Sequence, residues 1–203
     1  DMLRELGGLN PERVISPGYD GRDGDGVYMA HKAGAAWARG NGTVMFYGPH
    51  LPGPTWGEAV SNGVYQPTLW VDQNAHRFMN EGINNFAEIG NAIRDIKRLI
   101  VIQTEADIDR ITKEDGMNGY SGQGGSQSPK DVYKDLLQKE IERGNENIFV
   151  AKSISELAQK TGLPEENLTE TMKRYSEVAK AGVDDDFQKD AKYLSSMEEG
   201  PYY

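Results

Sequence analysis

The clearest pattern in the chain lies near its C-terminal end. Leu168, Met172, Tyr175 and Ala179 recur at the 3.6-residue rhythm of an amphipathic helix that Pro164 opens. Just before it, Ser153 and Glu156 have the spacing of a capping box for a helix carrying Ile154, Leu157 and Ala158, closed by Gly162. A third helix is predicted from Pro129 behind a Ser128 cap, with Val132, Leu136, Leu137 and Ile141 on one face and Gly144 at its end. Earlier in the chain, Val27, Ala30, Gly34 and Trp37 or Ala38 share a face, which predicts a helix over residues 27–38. Residues 84–96 and 105–111 are two further helical stretches.

Strand signals are short. Residues 68–71 and 76–79 predict a hairpin around Asp72-Gln73-Asn74-Ala75. Residues 98–103 carry the apolar run Leu99–Ile102 of a buried strand, and residues 43–47 and 148–151 are smaller candidates. Residues 48–63, rich in Pro and Gly, are predicted as loop, as are the glycine-rich residues 115–128 and the charged run Asp184-Asp185-Asp186. Strands and helices do not alternate regularly, so the expected class is α+β and not a complete doubly wound sheet.

Charge narrows the partners. A formal net charge of −10 over 203 residues argues against nucleic acid and anionic lipid, which need a basic face. No apolar run nears the roughly 20 residues that span a bilayer, so no membrane insertion is expected. Without cysteine the chain has no disulfide, thiolate nucleophile or thiolate-held metal. Composition assigns no compartment.

Self-contained chemistry is absent from the sequence. Asp20, Asp23 and Asp25 suggest calcium, but the twelfth position from Asp20 is His31 and from Asp23 is Gly34, where an EF-hand needs glutamate. His31, His50 and His76 are too scattered for a metal site, so none is expected. The glycines of residues 116–125 lack the following Lys-Thr or Lys-Ser of a phosphate loop. Trp56, Tyr65 and Trp70 are read first as core aromatics. The glycine-rich turn before residue 27 presents backbone N–H groups where a polar cofactor group can sit.

Three segments together resemble one family, the fumarate reductase and ketosteroid dehydrogenase type of FAD-dependent oxidoreductase. The first is Gly24-Asp25-Gly26 followed by Met29-Ala30 and Gly34-Ala35. The second runs from Trp70 through Arg77-Phe78-Met79-Asn80-Glu81, similar to the family's hairpin ending in Arg-Phe-x-Asn-Glu. The third holds residues 153–168 with Tyr175, Gly182, Asp185 and Phe187 and ends at Pro201-Tyr202-Tyr203.

The resemblance implies a substrate-capping domain with a small part of the FAD-binding domain, hence a section of a larger enzyme. Residues 1–47 would be the tail of the first FAD segment, 48–198 the cap, and 199–203 the start of the return strand. The family's GxGxxG turn has no counterpart here. FAD is implied in the intact parent and none bound to this section alone. Its implied partners are the remaining FAD-domain segments and a small-molecule substrate. Gly24, Asp25 and Gly26 would approach the cofactor, while Tyr65, Asn84 and Asn85 are the pocket candidates.

The family's chemistry is hydride exchange at an unsaturated or keto substrate beside an acid or base. No catalytic residue is assigned. Where fumarate reductases have a proton-donating arginine this chain has Asn85, and Asn62-Gly63-Val64-Tyr65 stands near the place of a Thr-Glu-x-x-Arg segment. Gly48-Pro49-His50 stands near a His-Pro-Thr, and Ala75 replaces the hairpin glycine. These departures point away from fumarate. The alternative is a stand-alone binding domain derived from such a cap, without catalysis.

Overall fold

The computed structural model describes residues 2–5, 8–13, 21, 23–37, 58–114, 117 and 127–203. The strand expected at 43–47, the loop at 48–57, Trp56, His50, Asp20 and most of the glycine-rich stretch fall outside them. The chain divides into two compact units, Asp1–Met45 and Phe46–Tyr203.

In the first unit, helix α1 (Met2–Glu5) and a 3-10 turn (Pro11–Arg13) precede α2 (Asp25–Lys32). Helix α2 starts earlier and ends sooner than its periodicity predicts. Gly24, at φ 91°, sets its start, and Gly34, at φ 99°, turns the chain out of it. His31 then bonds to the Ala35 carbonyl at 3.1 Å and packs on Trp37 at 4.3 Å.

The second unit contains α3 (Ala59–Val64), β1 (Leu69–Val71), α4 (Phe86–Ile93), β2 (Ile100–Ile102), α5 (Glu105–Lys113), α6 (Tyr133–Glu142), α7 (Ile154–Thr161) and α8 (Glu165–Ala181). A 3-10 turn, Ala191–Tyr193, follows. Among the described residues the sheet is one antiparallel pair, with Leu69 opposite Ile102 and Val71 opposite Ile100. This is a helix-rich mixture with a small sheet, in keeping with the α+β expectation.

The paired partner of β1 differs from the predicted one. The turn after β1 forms as expected: Asp72 donates its N–H to the His76 carbonyl, and Ala75 N–H returns to Asp72 O. Residues 76–79, however, are not a strand. The Trp70 N–H that a return arm would use goes to the Glu81 carboxylate at 3.3 Å, and β2 pairs on the opposite edge. Ala75 is held at φ 63° and fully buried, a conformation costing an L residue about 1–2 kcal/mol. Helix α8 holds this turn: Thr171 Oγ1 donates to Ala75 O at 2.7 Å and Asn167 Nδ2 to Asn74 O at 3.0 Å.

Helix α3 lies where loop was predicted, and all but one of its residues are buried. Burial overrides the poor helix propensity of Gly63 because the Tyr133 ring lies against its bare backbone. Helix α6 begins four residues after Pro129. Asp131 takes φ 64° and donates its N–H to Thr112 O, so 129–132 is a turn, and Ser128 Oγ accepts from Lys130 N. Of 148–151, only Ala151 pairs, with Tyr202. Helices α7 and α8 pack together as the sequence rhythm predicts, capped by Ser153 and ended by Gly162 and Gly182 in left-handed geometry.

Three apolar clusters fill the unit. One joins Leu69, Val71 and Ile102 with Leu157, Leu168, Met172, Tyr175 and Tyr202. A second gathers Ile108, Ile111, Tyr133 and Leu137, and a third Tyr65, Trp70, Met79 and Ile89. Tyr65 and Trp70 are therefore core aromatics, their rings 5.6 Å apart.

Candidate functional site

The Gly24–Gly26 segment opens helix α2. Gly24 O accepts from Val27 N and Tyr28 N, and no side chain caps the helix. A Cβ on Gly26 would meet nothing within 4 Å. The N–H groups of the first turn are thus reachable by a cofactor's polar atoms.

Tyr65 is buried in the cluster of Trp70, Met79 and Ile89, against which Ile83 and Phe86 pack, and Asn84 and Asn85, between those two in sequence, are exposed. Asn85 caps α4: its Oδ1 accepts from Ala87 N at 3.0 Å and Glu88 N at 3.2 Å, and its Nδ2 donates to Glu88. An amide so held cannot act as a proton donor of the arginine type.

A buried ionic network, missed in the sequence, lies beneath the turn. Arg77 meets Glu81 through two bonds of 2.8 Å and Asp184 through one of 2.6 Å. Its guanidinium lies 5.1 Å from the Tyr175 ring centre and 4.8 Å from that of Phe187. Lys189, fully buried, donates to Thr68 O at 2.8 Å and Tyr175 Oη at 2.6 Å, with Glu81 at 3.3 Å. Asp184 was expected in a solvated loop; it is instead buried, and Phe187 and Lys189 backbone N–H groups also bond to it.

The network shapes its own charges. Burial pulls the Lys189 ammonium down to about 8, against the pull of Glu81. Burial would raise the Asp184 carboxyl, but Arg77 and the backbone donors hold it down to about 2. For Arg77 desolvation is outweighed by Glu81 and Asp184, which keep it above the ordinary arginine value. Two cations and two anions thus balance inside the fold. The Arg77–Glu81 spacing of four residues was the available sequence signal; Lys189 gave none, its Thr68 partner lying 121 positions away.

Beside β2 lies an apolar cavity of about 560 Å³. It is lined by residues 98–103 and 147–149 together with Leu157, Thr161 and Tyr203 among others. Among the described residues, Arg98 is the only charged one lining it, and its guanidinium is tied to Thr161 O. No cluster of metal-ligating side chains occurs among the described residues, nor does any helix there have the length and apolarity to cross a membrane.

A vinyl phenol reductase of Lactiplantibacillus plantarum is 28% identical over the whole chain, which spans only 43% of that relative. In fold, the chain matches a 3-ketosteroid delta1-dehydrogenase of Sterolibacterium denitrificans with a TM-score of 0.67 at 16% identity, over 96% of this chain and 37% of the other. A solution structure of a fumarate reductase flavoprotein subunit from Lactobacillus plantarum matches at TM-score 0.50 and 23% identity, over 74% of this chain and 86% of that one. The sequence pattern of the FAD binding domain family extends over residues 2–203. The expectation of FAD in the intact protein agrees with these relationships, and the chain belongs to the FAD binding domain family of flavin-dependent oxidoreductases.

Proposed function

We propose that this chain is the substrate-capping part of a longer FAD-dependent oxidoreductase. Residues 1–47 end its first FAD segment, 48–198 form the cap, and 199–203 begin the return to the FAD domain. The observation that carries the reading is a family match along the whole chain that spans less than half of a curated relative. Gly24, Asp25 and Gly26 would hold a polar part of FAD, whose chemistry when bound is hydride exchange with a substrate carbon. The cap's own contribution is to exclude water and orient the substrate. Tyr65, through its cluster, supports the stretch carrying Asn84 and Asn85, which faces the substrate.

The substrate is an unsaturated or keto compound of low charge. Asn85, engaged as a helix cap, offers neither a proton nor a positive charge to a dicarboxylate such as fumarate. The name of the vinyl phenol reductase relative supports the same class. The test uses the longer protein, loaded with FAD and reduced without oxygen. Mixed with 4-vinylphenol or a 3-ketosteroid, its flavin should reoxidise at least ~100-fold faster than with fumarate, because a pocket lacking a required polar partner discriminates by such factors. Equal or faster reoxidation by fumarate sinks the substrate assignment.

A further inference from the structure

We propose that Lys189 is a positioning residue for the substrate-facing stretch, acting through Glu81. This rests on the reading that Asn84 and Asn85 face the substrate. Those two residues follow a turn, residues 80–82, that is held by residues 188–193. Asn80 Nδ2 donates to Gln188 O at 3.0 Å, and the Glu81 carboxylate meets Lys189 Nζ at 3.3 Å. The Tyr193 ring lies so near Gly82 that an added Cβ would stand 2.9 Å from its Cδ2. Three consecutive residues are thus seated on one short segment, just ahead of Asn84.

That segment is shaped to turn the lysine inward. The Asp184 carboxylate accepts from the Asp186, Phe187 and Lys189 N–H groups, at 3.2, 3.2 and 3.1 Å, and so wraps residues 184–189 around itself. Lys189 Nζ then has three acceptors: Tyr175 Oη at 2.6 Å, Thr68 O at 2.8 Å and the Glu81 carboxylate. An ammonium has three N–H donors, one for each, whereas an amine has two. Loss of the proton therefore releases the longest of the three contacts, the one to Glu81. Glu81 also accepts from Trp70 N and from Arg77, so its carboxylate ties the turn to β1. With the ammonium discharged, Arg77 alone balances Glu81 and Asp184. The Glu81 carboxylate then shifts, and the chain leading from it to Asn84 shifts with it.

Burial draws Lys189 down to about 8, against the pull of Glu81; Arg77 adds to the fall, and Asp107 of α5 opposes it. Asp184 stays ionised beside Arg77. Tyr175 stays protonated, because burial raises its hydroxyl well above the ordinary range. Stability runs opposite to positioning. Lysine in an unfolded chain titrates near 10.5, so between about 8 and 10.5 the unfolded chain binds more protons and folding is favoured as pH rises. A lysine that only stabilised the fold would move rate and stability together; a positioning lysine moves them apart.

The test uses the longer protein, loaded with FAD, reduced without oxygen and mixed with 4-vinylphenol or a 3-ketosteroid. The pH runs from about 7 to about 9, below the range near 10 where a phenol ionises. Reoxidation by saturating substrate should fall ~10-fold by pH ~9, where about one Lys189 in ten keeps its proton, while FAD stays bound. Over the same range the melting temperature, taken relative to Lys189→Met, should rise. Lys189→Met itself should be slow at every pH, without the inflection near 8. A level rate, an inflection that survives in Lys189→Met, or a rate that rises with the melting temperature overturns the proposal. Where the variant does not fold, the wild-type rate and melting temperature decide alone. A protein inert toward both compounds at pH ~7 sinks the reading beneath the proposal, so the two failures are told apart.

Discussion

Replacing Arg77 with methionine is expected to lower the stability of the Phe46–Tyr203 unit by about 3–5 kcal/mol, the range for breaking a buried ion pair from one side. Thermal unfolding should move down by roughly 10 °C for a unit of this size. The cause is what remains behind. Glu81 and Asp184, both without exposed side-chain surface, would lose three charge-assisted bonds, and Lys189 would be left as their one buried counter-charge. The rings of Tyr175 and Phe187 would lose the cation between them. Removing the two carboxylates in the same background, as Glu81→Gln and Asp184→Asn, should recover part of the loss. A change below about 1 kcal/mol for Arg77→Met, the size of an exposed pair, would mean that the network is hydrated and unimportant.

The second large effect is expected at Gly63. An alanine Cβ there would lie 2.0 Å from Tyr133 Cδ2 and 2.1 Å from Cε2, so the ring must move. It has little freedom to do so. Tyr133 is fully buried, and its hydroxyl donates to Gln103 Oε1 at 2.7 Å, while Gln103 Nε2 returns to Gly63 O at 3.0 Å. Gly63→Ala should cost about 2–3 kcal/mol, the upper part of the range for overpacking a core. Measured in a Tyr133→Leu background, the same substitution should cost well under half of that, since a contacting pair is not additive. Equal costs in both backgrounds would place the strain elsewhere.

Local signals made much of the fold legible. Pro164 and Gly182 bracket α8, Gly162 ends α7, and Ser153 caps it, each through short-range chemistry that needs no tertiary partner. What failed depended on distant groups. The second arm of the predicted hairpin is displaced because Glu81 takes the Trp70 N–H. Helix α3 was hidden by Gly63, whose place is explained only by a ring from α6. The run at Asp184 reads as a solvated loop until Arg77, 107 positions away, is brought to it.

For the site, legibility had another source. No spacing within the chain signalled flavin chemistry. Gly24-Asp25-Gly26 and the stretch ending at Asn80-Glu81 carried the resemblance, and the family match agrees with the family it named, while the roles of those residues stay as proposed above. Residue chemistry alone does explain why Asn85 is no proton donor, since asparagine before Phe86 is a strong helix cap. Lys189 has Asp184, Asp185, Asp186 and Asp190 close by in sequence, but its ammonium meets Glu81 and Thr68 from far along the chain, so only the folded chain reveals its partners.

The central claim is that residues 48–198 act as a cap, and excising them from the longer flavoprotein tests it most directly. With a short Gly-Ser bridge in their place, the protein should still retain FAD, and its reduced flavin should still reoxidise with oxygen. Reoxidation by the unsaturated substrate should fall at least ~1,000-fold, because positioning and water exclusion would be lost together. Substrate reoxidation at the original rate with the cap removed would contradict the account.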